Sequence, residues 1–398
     1  MKQKKVHYQI CLVGSGLIGL VMALMLTKTN LKVLLIDKTR ILDKKKKLAD
    51  TRTTAISQGT KRIFDIFGLW KKLEVDCQPI EKICVHDEMS VSLEFDSNAA
   101  EEGPLGYIIE NNILKKYILE KVLTSRNIDI LENTEVKDLN FEKEPNIVEI
   151  ITDKQIIKSG LIIGCDGRYS RTRYFSDLKT FEYKYSQKAY TFNISHEKHH
   201  YGLALERFFP EGPLAILPMK SSKRNSFNSS VVWTVDEELG DFSKLSMSEF
   251  KSEFQRRYAN FFGKAFIISQ PKVYPLNVIY SYKCFRENFV LVGDASQAIH
   301  PIAGQGFNLG VRDCDILLKN INHSLKTGKE IGSVEMLSKF SNRRLVDRKL
   351  FINATHNLNL FFSNNNVFLK KFRKFGISLL NNFGFIKKQL MMIAMGLK

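Results

Sequence analysis

Apolar positions near the start of the chain fall into a strand, a glycine turn, a helix and a second strand. Residues 8–13 form a short apolar run. Glycines then punctuate 14–19, residues 17–27 are apolar over helical length, and 32–36 form a second run closed by Asp37. This order predicts a βαβ opening. Further on, 59–69 and 109–124 place apolar residues three and four apart, the spacing of one helix face, whereas 77–95 alternates as a half-buried strand does. Residues 161–163 read as a short buried strand ending at Gly164.

The pattern changes at about residue 176. From there to about 275 it reads as several strands, with turns at Glu211-Gly212 and around 220–230. Residues 275–325 return to a strand followed by a helix at 307–320, and from about 333 the chain is helical and basic. The predicted fold class is therefore α/β. A discontinuous Rossmann-like half (1–75, 100–175 and 276–332) carries an inserted β-rich domain (76–99 and 176–275) and a helical C-terminal segment (333–398).

Composition narrows the setting. At 398 residues, 44% hydrophobic and 26% charged, the chain has room for two or three domains with large cores. The net charge of +18 suits an anionic lipid surface, an acidic ligand or nucleic acid; it equally suits a lysine-rich composition with no such partner. Basic clusters stand at 44–47 and 370–374. The six cysteines form no C-x-x-C pair, which reads as reduced thiols in a cytoplasmic protein. The start, MKQKK followed by ICLVGSGLIGLVMALML, imitates a signal peptide, but its apolar run contains G-x-G-x-x-G and no polar cleavage context follows. Nor does any stretch reach the ~20 uninterrupted apolar residues of a transmembrane helix.

Three motifs carry chemistry. Gly14-Ser-Gly16-Leu-Ile-Gly19 follows a strand, opens a helix, and has Asp37 at the end of the next strand. In that context it is a dinucleotide-binding fingerprint: backbone N–H groups for a pyrophosphate, Asp37 for a ribose. In the second, Asp166-Gly167 ends a buried strand and basic residues follow; it reads as a second edge of the same site or as a simple turn. The third is GDASQAIHPIAGQGFNLGVRD, from Gly293 to Asp313. Gly293-Asp294 closes a strand, and Gly304-Gln305-Gly306 opens a helix whose first N–H groups have no intrahelical partner. Such a helix start suits the electron-rich edge of a reduced flavin, with Asp294 on the ribityl hydroxyls.

Together these motifs resemble the single-component FAD-dependent aromatic hydroxylases of the 4-hydroxybenzoate hydroxylase type. Within that group the chain is similar to the ubiquinone-biosynthesis flavin hydroxylases. The likeness rests on IHPIAGQGFNLGVRD, on DTRTTAIS at 50–57, on HEKHHYGLALERFFPEGPLAILP at 196–218 followed by Val232-Trp233, and on the tail FFSNNNVFLKKFRKFG. It covers essentially the whole chain. One departure is Ser296-Gln297, where the family usually has Ala-His.

The resemblance implies FAD as cofactor, NAD(P)H as reductant, dioxygen as co-substrate and a flavin C4a-hydroperoxide as the oxygen donor. It implies a polyprenylated phenol of the ubiquinone route as substrate and no nucleic-acid partner. Other quinone-biosynthesis proteins, and the inner face of the cytoplasmic membrane, are further partners it suggests. It adds Arg52, Asn111, Gln305 and Asn308 to the cofactor residues; a surface ion pair for Arg52 and a helix cap for Asn111 are the competing readings. His300 and Pro301 are candidates at the reacting edge, with His300 as an acid–base group or as loop packing. The competing functions are a same-fold flavoenzyme acting on another aromatic or isoprenoid substrate, and a non-catalytic basic lipid-binding protein. A zinc site is set aside: His196-Glu197-Lys198-His199-His200 fits H-E-x-x-H, but its flanks alternate as strands do, and that chemistry needs a helix.

Overall fold

A computed structural model describes residues 7–41, 50–87, 90–221, 226–240, 242–362 and 383–398. The basic clusters at 44–47 and 370–374, and most of the FFSNNNVFLKKFRKFG stretch, lie outside the described residues.

The apolar runs of the N-terminal half pair in parallel. His7–Val13 lies between Val33–Ile36 and Ile156–Gly164; Ile128–Leu131 flanks the former and Phe289–Leu291 the latter. Both sheet faces are covered, as parallel sheets require. Ile10, Leu12 and Leu35 pack beneath the helix Leu17–Leu26, while Cys11, Val13 and Ile36 pack into a second cluster with Phe289. That helix is apolar all round because it is buried from Gly19 to Leu26.

Register decides where ligands can gather. Val13 is paired with Ile36 and with Gly164, and Gly164 with Leu291. Four strands thus end at one level, and the residues just beyond them are Gly14, Asp37, Asp166 and Gly293-Asp294. An open α/β sheet binds its ligands at such an edge.

Among the described residues a second sheet has nine strands, mostly antiparallel. Its centre is the long strand Thr180–His196, followed across the sheet by Phe227–Asp236, Gly212–Met219, Leu203–Phe209 and Lys82–Asp87. On its other side lies Lys272–Ser281, then the two-residue strand Gln297–Ala298. One face buries Tyr190, Phe192, Leu205, Ile216 and Trp233 under the helix Met247–Tyr258. The opposite face turns toward the first half: Asn193 donates to the Thr51 carbonyl at 3.1 Å, and Ala204 and Met219 pack with Ile108.

Three expectations need correction. The region 176–275 is not all strand: Met247–Tyr258 is helical, begun by a capping box between Ser246 and Glu249. The helix expected over 109–124 starts at Asn111, because Ile108 and Ile109 belong to the strand Gly106–Glu110 that pairs with Thr53–Ile56. The strand expected at 161–163 runs over Ile156–Gly164.

The described parts of the C-terminal segment pack on the protein itself. Met336, Leu337 and Phe340 of the helix Val334–Phe362 enter the first core. Met391 and Met395, in and just after the helix Gly384–Ala394, join Ile80, Leu105 and Ile108.

One buried ion pair fastens that segment to the sheet edge. Asp313, on the helix Gly306–Thr327, is fully buried; it accepts from the Gly293 N–H at 3.0 Å and from Arg344 Nε at 2.6 Å. Arg344 also bonds Asp347. Burial alone would lower the guanidinium's proton affinity, but Asp313 and Asp347 outweigh it and raise it. Replacing Arg344 by Met would take the nearer of its two guanidinium partners from the buried Asp313, leaving Arg348 at 3.5 Å. A loss of about 1 to 3 kcal/mol is expected, read as a lower thermal midpoint. Replacing the exposed Val346 by Ser on the same helix should leave the midpoint in place.

Candidate active site

The glycine turn shows three different clearances. Gly14 has φ +103°, and an added Cβ would lie 2.7 Å from the Cys165 carbonyl oxygen. A Cβ on Gly19 would lie 1.8 Å from the Gly14 carbonyl oxygen, so the helix meets the strand only through glycine. Gly16 is different: its φ of −62° suits any residue, and a Cβ there would meet nothing within 4 Å. The first and third glycines are needed by the fold. The second faces open space, where a pyrophosphate would approach the backbone.

Asp37 sits beside this turn. Its Oδ2 accepts from Ser15 N at 2.6 Å and Ser15 Oγ at 2.7 Å, and its Oδ1 from Thr39 N and Oγ1. Burial pushes the carboxyl up, but the bonds from Thr39 and Ser15 outweigh it and hold it below the usual range. Asp166 is likewise engaged, accepting from Ser170 Oγ and from Thr172 N and Oγ1, so it shapes its own turn. Gly167 follows at φ +81° with open space around it.

The third motif divides into residues left open and residues bonded within the protein. Asp294 is half-buried and has no hydrogen-bond partner among the described residues; burial pushes its carboxyl up, with Arg168 and Arg52 opposing. A Cβ on Gly306, where the long helix starts, would lie 3.8 Å from Asp294 Oδ1. The helix start and the unpaired carboxylate therefore adjoin. Gly304, at φ +59°, abuts Ala55. Gln305 donates to the Ala394 carbonyl at 3.2 Å, while its own Oε1 is buried without a partner.

Asn308 serves as a clamp. It accepts from Ser57 N and Thr60 Oγ1 and donates to the Ala55 carbonyl, all within 3.0 Å. Ser296 and Gln297 lie in the wall beneath: Ser296 Oγ and both Gln297 side-chain polar atoms are buried without partners among the described residues.

His300 is fully buried. Its Nδ1 accepts from the Ile302 N–H at 3.4 Å, which leaves the ring proton on Nε2 to donate to Gln187 Oε1 at 3.2 Å. Burial first, then Arg168 and His356, pull it down to about 3, so the ring is neutral at ordinary pH. Nε2 ties the loop to the second sheet, and Nδ1 braces the loop itself. Pro301 continues the turn at φ −70°.

Arg52 and Asn111 meet around Asp50. Arg52 pairs with both Asp50 oxygens, at 2.8 and 2.7 Å, and lies over the Tyr274 ring. Asn111 is the first helical residue, not the cap. Its side chain accepts from Thr54 Oγ1 and donates to Asp50.

Sequence reasoning did not assign Arg168, Arg173 or Asp313. Arg173 donates to the Ala295 and Arg168 carbonyls, and Arg168 to Asn277 and the Ile299 carbonyl. These bonds tie the Asp-Gly turn to the third motif. The only signal was that the basic residues follow the Asp-Gly turn directly. His196 and His200 sit at a strand end and in a turn, with all four ring nitrogens bonded within the protein.

Residues 7–348 match the family described as FAD binding domain. Among curated proteins, the chain is 30% identical over 391 residues to ubiquinone hydroxylase UbiL of Rhodospirillum rubrum, covering 97% of this chain and 89% of that one. It is 24% identical to the 3-demethoxyubiquinol 3-hydroxylase of Escherichia coli, over 98% of each. Among solved structures, p-nitrophenol 4-monooxygenase from Pseudomonas putida superposes with a TM-score of 0.81 at 17% identity, over 98% of each chain.

The residues fit FAD. Among the described residues the Gly16 backbone is open, Asp294 lacks a partner, and buried polar atoms around Gln297 and Gln305 are unsatisfied. Replacing Gly16 by Ala should therefore leave the thermal midpoint of cofactor-stripped protein unchanged while lowering FAD occupancy, measured by flavin absorbance. Replacing Gly19 by Ala should lower both.

Proposed function

Since the chain belongs to the FAD binding domain family, and matches ubiquinone hydroxylases along nearly its whole length, we propose that it is an FAD-dependent aromatic-ring monooxygenase of ubiquinone biosynthesis. Its substrate is a polyprenylated phenol, its reductant NAD(P)H and its co-substrate dioxygen. The observation that carries this reading is the meeting, at one sheet edge, of the open Gly16 turn, the unpaired Asp294 and the start of the Gly306–Thr327 helix.

FAD bound there supplies the redox and oxygen-activating chemistry. The chain's residues bind and orient. The N–H groups of Gly14–Gly19 take the pyrophosphate and Asp37 shares a ribose hydroxyl. Asp294 accepts from ribityl hydroxyls. The first N–H groups of the long helix offset negative charge at the ring edge. Arg52, held by Asp50, keeps a fixed positive charge nearby, and Asn111 keeps Asp50 in place. His300 and Pro301 hold the loop wall. With both nitrogens bonded, His300 acts by position.

The sequence holds no second G-x-G-x-x-G, which suits a reductant that docks only in passing. A prenylated substrate resides in a bilayer, so the enzyme would work at a membrane surface. Among the described residues no helix is long and apolar enough to cross. The helix Gly384–Ala394 exposes Phe385, Ile386 and Leu390 beside Lys387 and Lys388, a composition suited to an anionic lipid surface.

Purified protein should be yellow. Given NADH, air and a short-chain prenylphenol, it should yield a product heavier by one oxygen atom on mass spectrometry. Colourless protein that takes up no FAD would defeat the reading. Replacing Phe385 and Leu390 by Ser should reduce co-sedimentation with anionic liposomes without lowering FAD content; unchanged sedimentation would count against the membrane role.

A further inference from the structure

Leu203–Phe209 alternates between the two faces of the second sheet. Leu205 packs in the core under Met247–Tyr258, and Arg207 donates to the Arg257 and Tyr258 carbonyls on that side. Ala204 points the other way, into the cluster with Ala55 and Ile108, so Glu206 lies on that face too. Ala55 is the residue against which Gly304 rests. Glu206 thus stands two residues, about 7 Å, along the strand from a contact shared with the candidate flavin loop.

Register places it in a row across the sheet. Thr191 is paired with Val232, Val232 with Ala215, Ala215 with Glu206, and Glu206 with Val85. The row on one side contains Asn193, Leu217 and Ala204, which meet Thr51 and Ala55. Two rows the other way, Gln187 meets His300. The row of Glu206 therefore spans the strip of sheet between two contacts with the cofactor half. Thr191, Val232 and Glu206 are only half-buried there, and Thr191 Oγ1 has no partner among the described residues.

Glu206 is the one carboxyl in this row. Its lateral neighbours are Ala215 and Val85, and its same-face neighbours along the strand are Ala204 and Phe208, none of which titrates; the same face also carries Asp87, opposite Phe208 on the next strand, and Lys272, opposite Thr191 at the far end of the row. Among the described residues no donor pairs with it and no charge acts on it: burial alone pushes the carboxyl up to about 7. A lone carboxyl in an apolar wall is costly unless a ligand completes it.

We infer that Glu206 is a catalytic residue that accepts the phenol proton of the substrate. The O–H bond breaks, a carboxyl O–H forms, and the phenolate's electron pair makes the ring a stronger nucleophile; no electrons leave the pair of groups. The inference rests on the reading of the substrate as a phenol.

The test uses FAD-loaded protein, wild type and Glu206→Gln, with a short-chain prenylphenol and its O-methyl ether. Binding is read from the flavin spectrum and hydroxylation by mass spectrometry, from pH 5.5 to 8.5 (about 1.5 either side of 7). Wild type should prefer the phenol to the ether, and its rate should rise as pH passes about 7. E206Q should lose about 10- to 100-fold of that preference and the rising limb, while Glu206→Asp keeps part of both. An unchanged preference and pH profile in E206Q would overturn the role of Glu206 alone. Wild-type protein that holds FAD yet neither binds nor hydroxylates the phenol would overturn the substrate reading, and the role with it.

Folding gives a second readout. With its folded value above the ordinary carboxylate range, Glu206 contributes stability below that range, lost as pH rises toward about 7. E206Q should fold at least as well as wild type near neutral pH and lack that decline. A decline identical in both would show that the carboxyl is not desolvated as described, and would overturn the assignment.

Discussion

A single buried carboxylate organises the site. Asp313 has no exposed surface, so its charge must be met entirely by neighbours. It meets three elements at once: the backbone of Gly293, its own helix Gly306–Thr327, and Arg344 from the C-terminal helix. Gly293 precedes Asp294, and the helix that carries Asp313 begins at Gly306. The spacing between the unpaired carboxylate and the open helix start is therefore set by a group that faces neither. Arg344, with 2% of its side chain exposed, could not be removed from water without Asp313 and Asp347.

Most of the polar side chains named near the sheet edge are bonded within the protein, largely to backbone groups. Asn308 closes three hydrogen bonds onto Ala55, Ser57 and Thr60. Arg173 and Arg168 stitch the Asp-Gly turn to the loop beyond Asp294, and His300 pins that loop to Gln187. These bonds preorganise a surface whose groups left open are largely backbone. That division suits a cofactor that carries its own reactivity and asks the protein for position, charge and dryness.

The two halves are joined through the third motif. Gln297–Ala298 adds a strand to the second sheet, paired with Ile279 and Tyr280, a few residues after Gly293 has closed the first sheet. One short stretch thus spans both sheets and holds the end of the first against the wall that carries Glu206. The polar atoms of Ser296 and Gln297, without partners among the described residues, lie in this crossing; the structure gives no account of why these two residues stand there.

The local signals were the ones legible in the sequence. Apolar runs of strand length, a glycine turn with Asp37 at the right distance, and a helix opened by glycines each depend on neighbours along the chain. They were enough for the fold class, and the structure brings the motifs they marked to one sheet edge. The motif likeness added the chemistry. What required tertiary structure was pairing at a distance. Whether Asp37, Asp166 and Asn308 face a ligand or their own turns depends on partners that spacing does not reveal. The same holds for Asp313, whose arginine lies 31 residues away. Glu206 reads in sequence as one more charged residue in a strand. Strand alternation sets it opposite Leu205, but only contacts between residues far apart in the chain show that its face turns toward the first half, with no cation paired to it among the described residues.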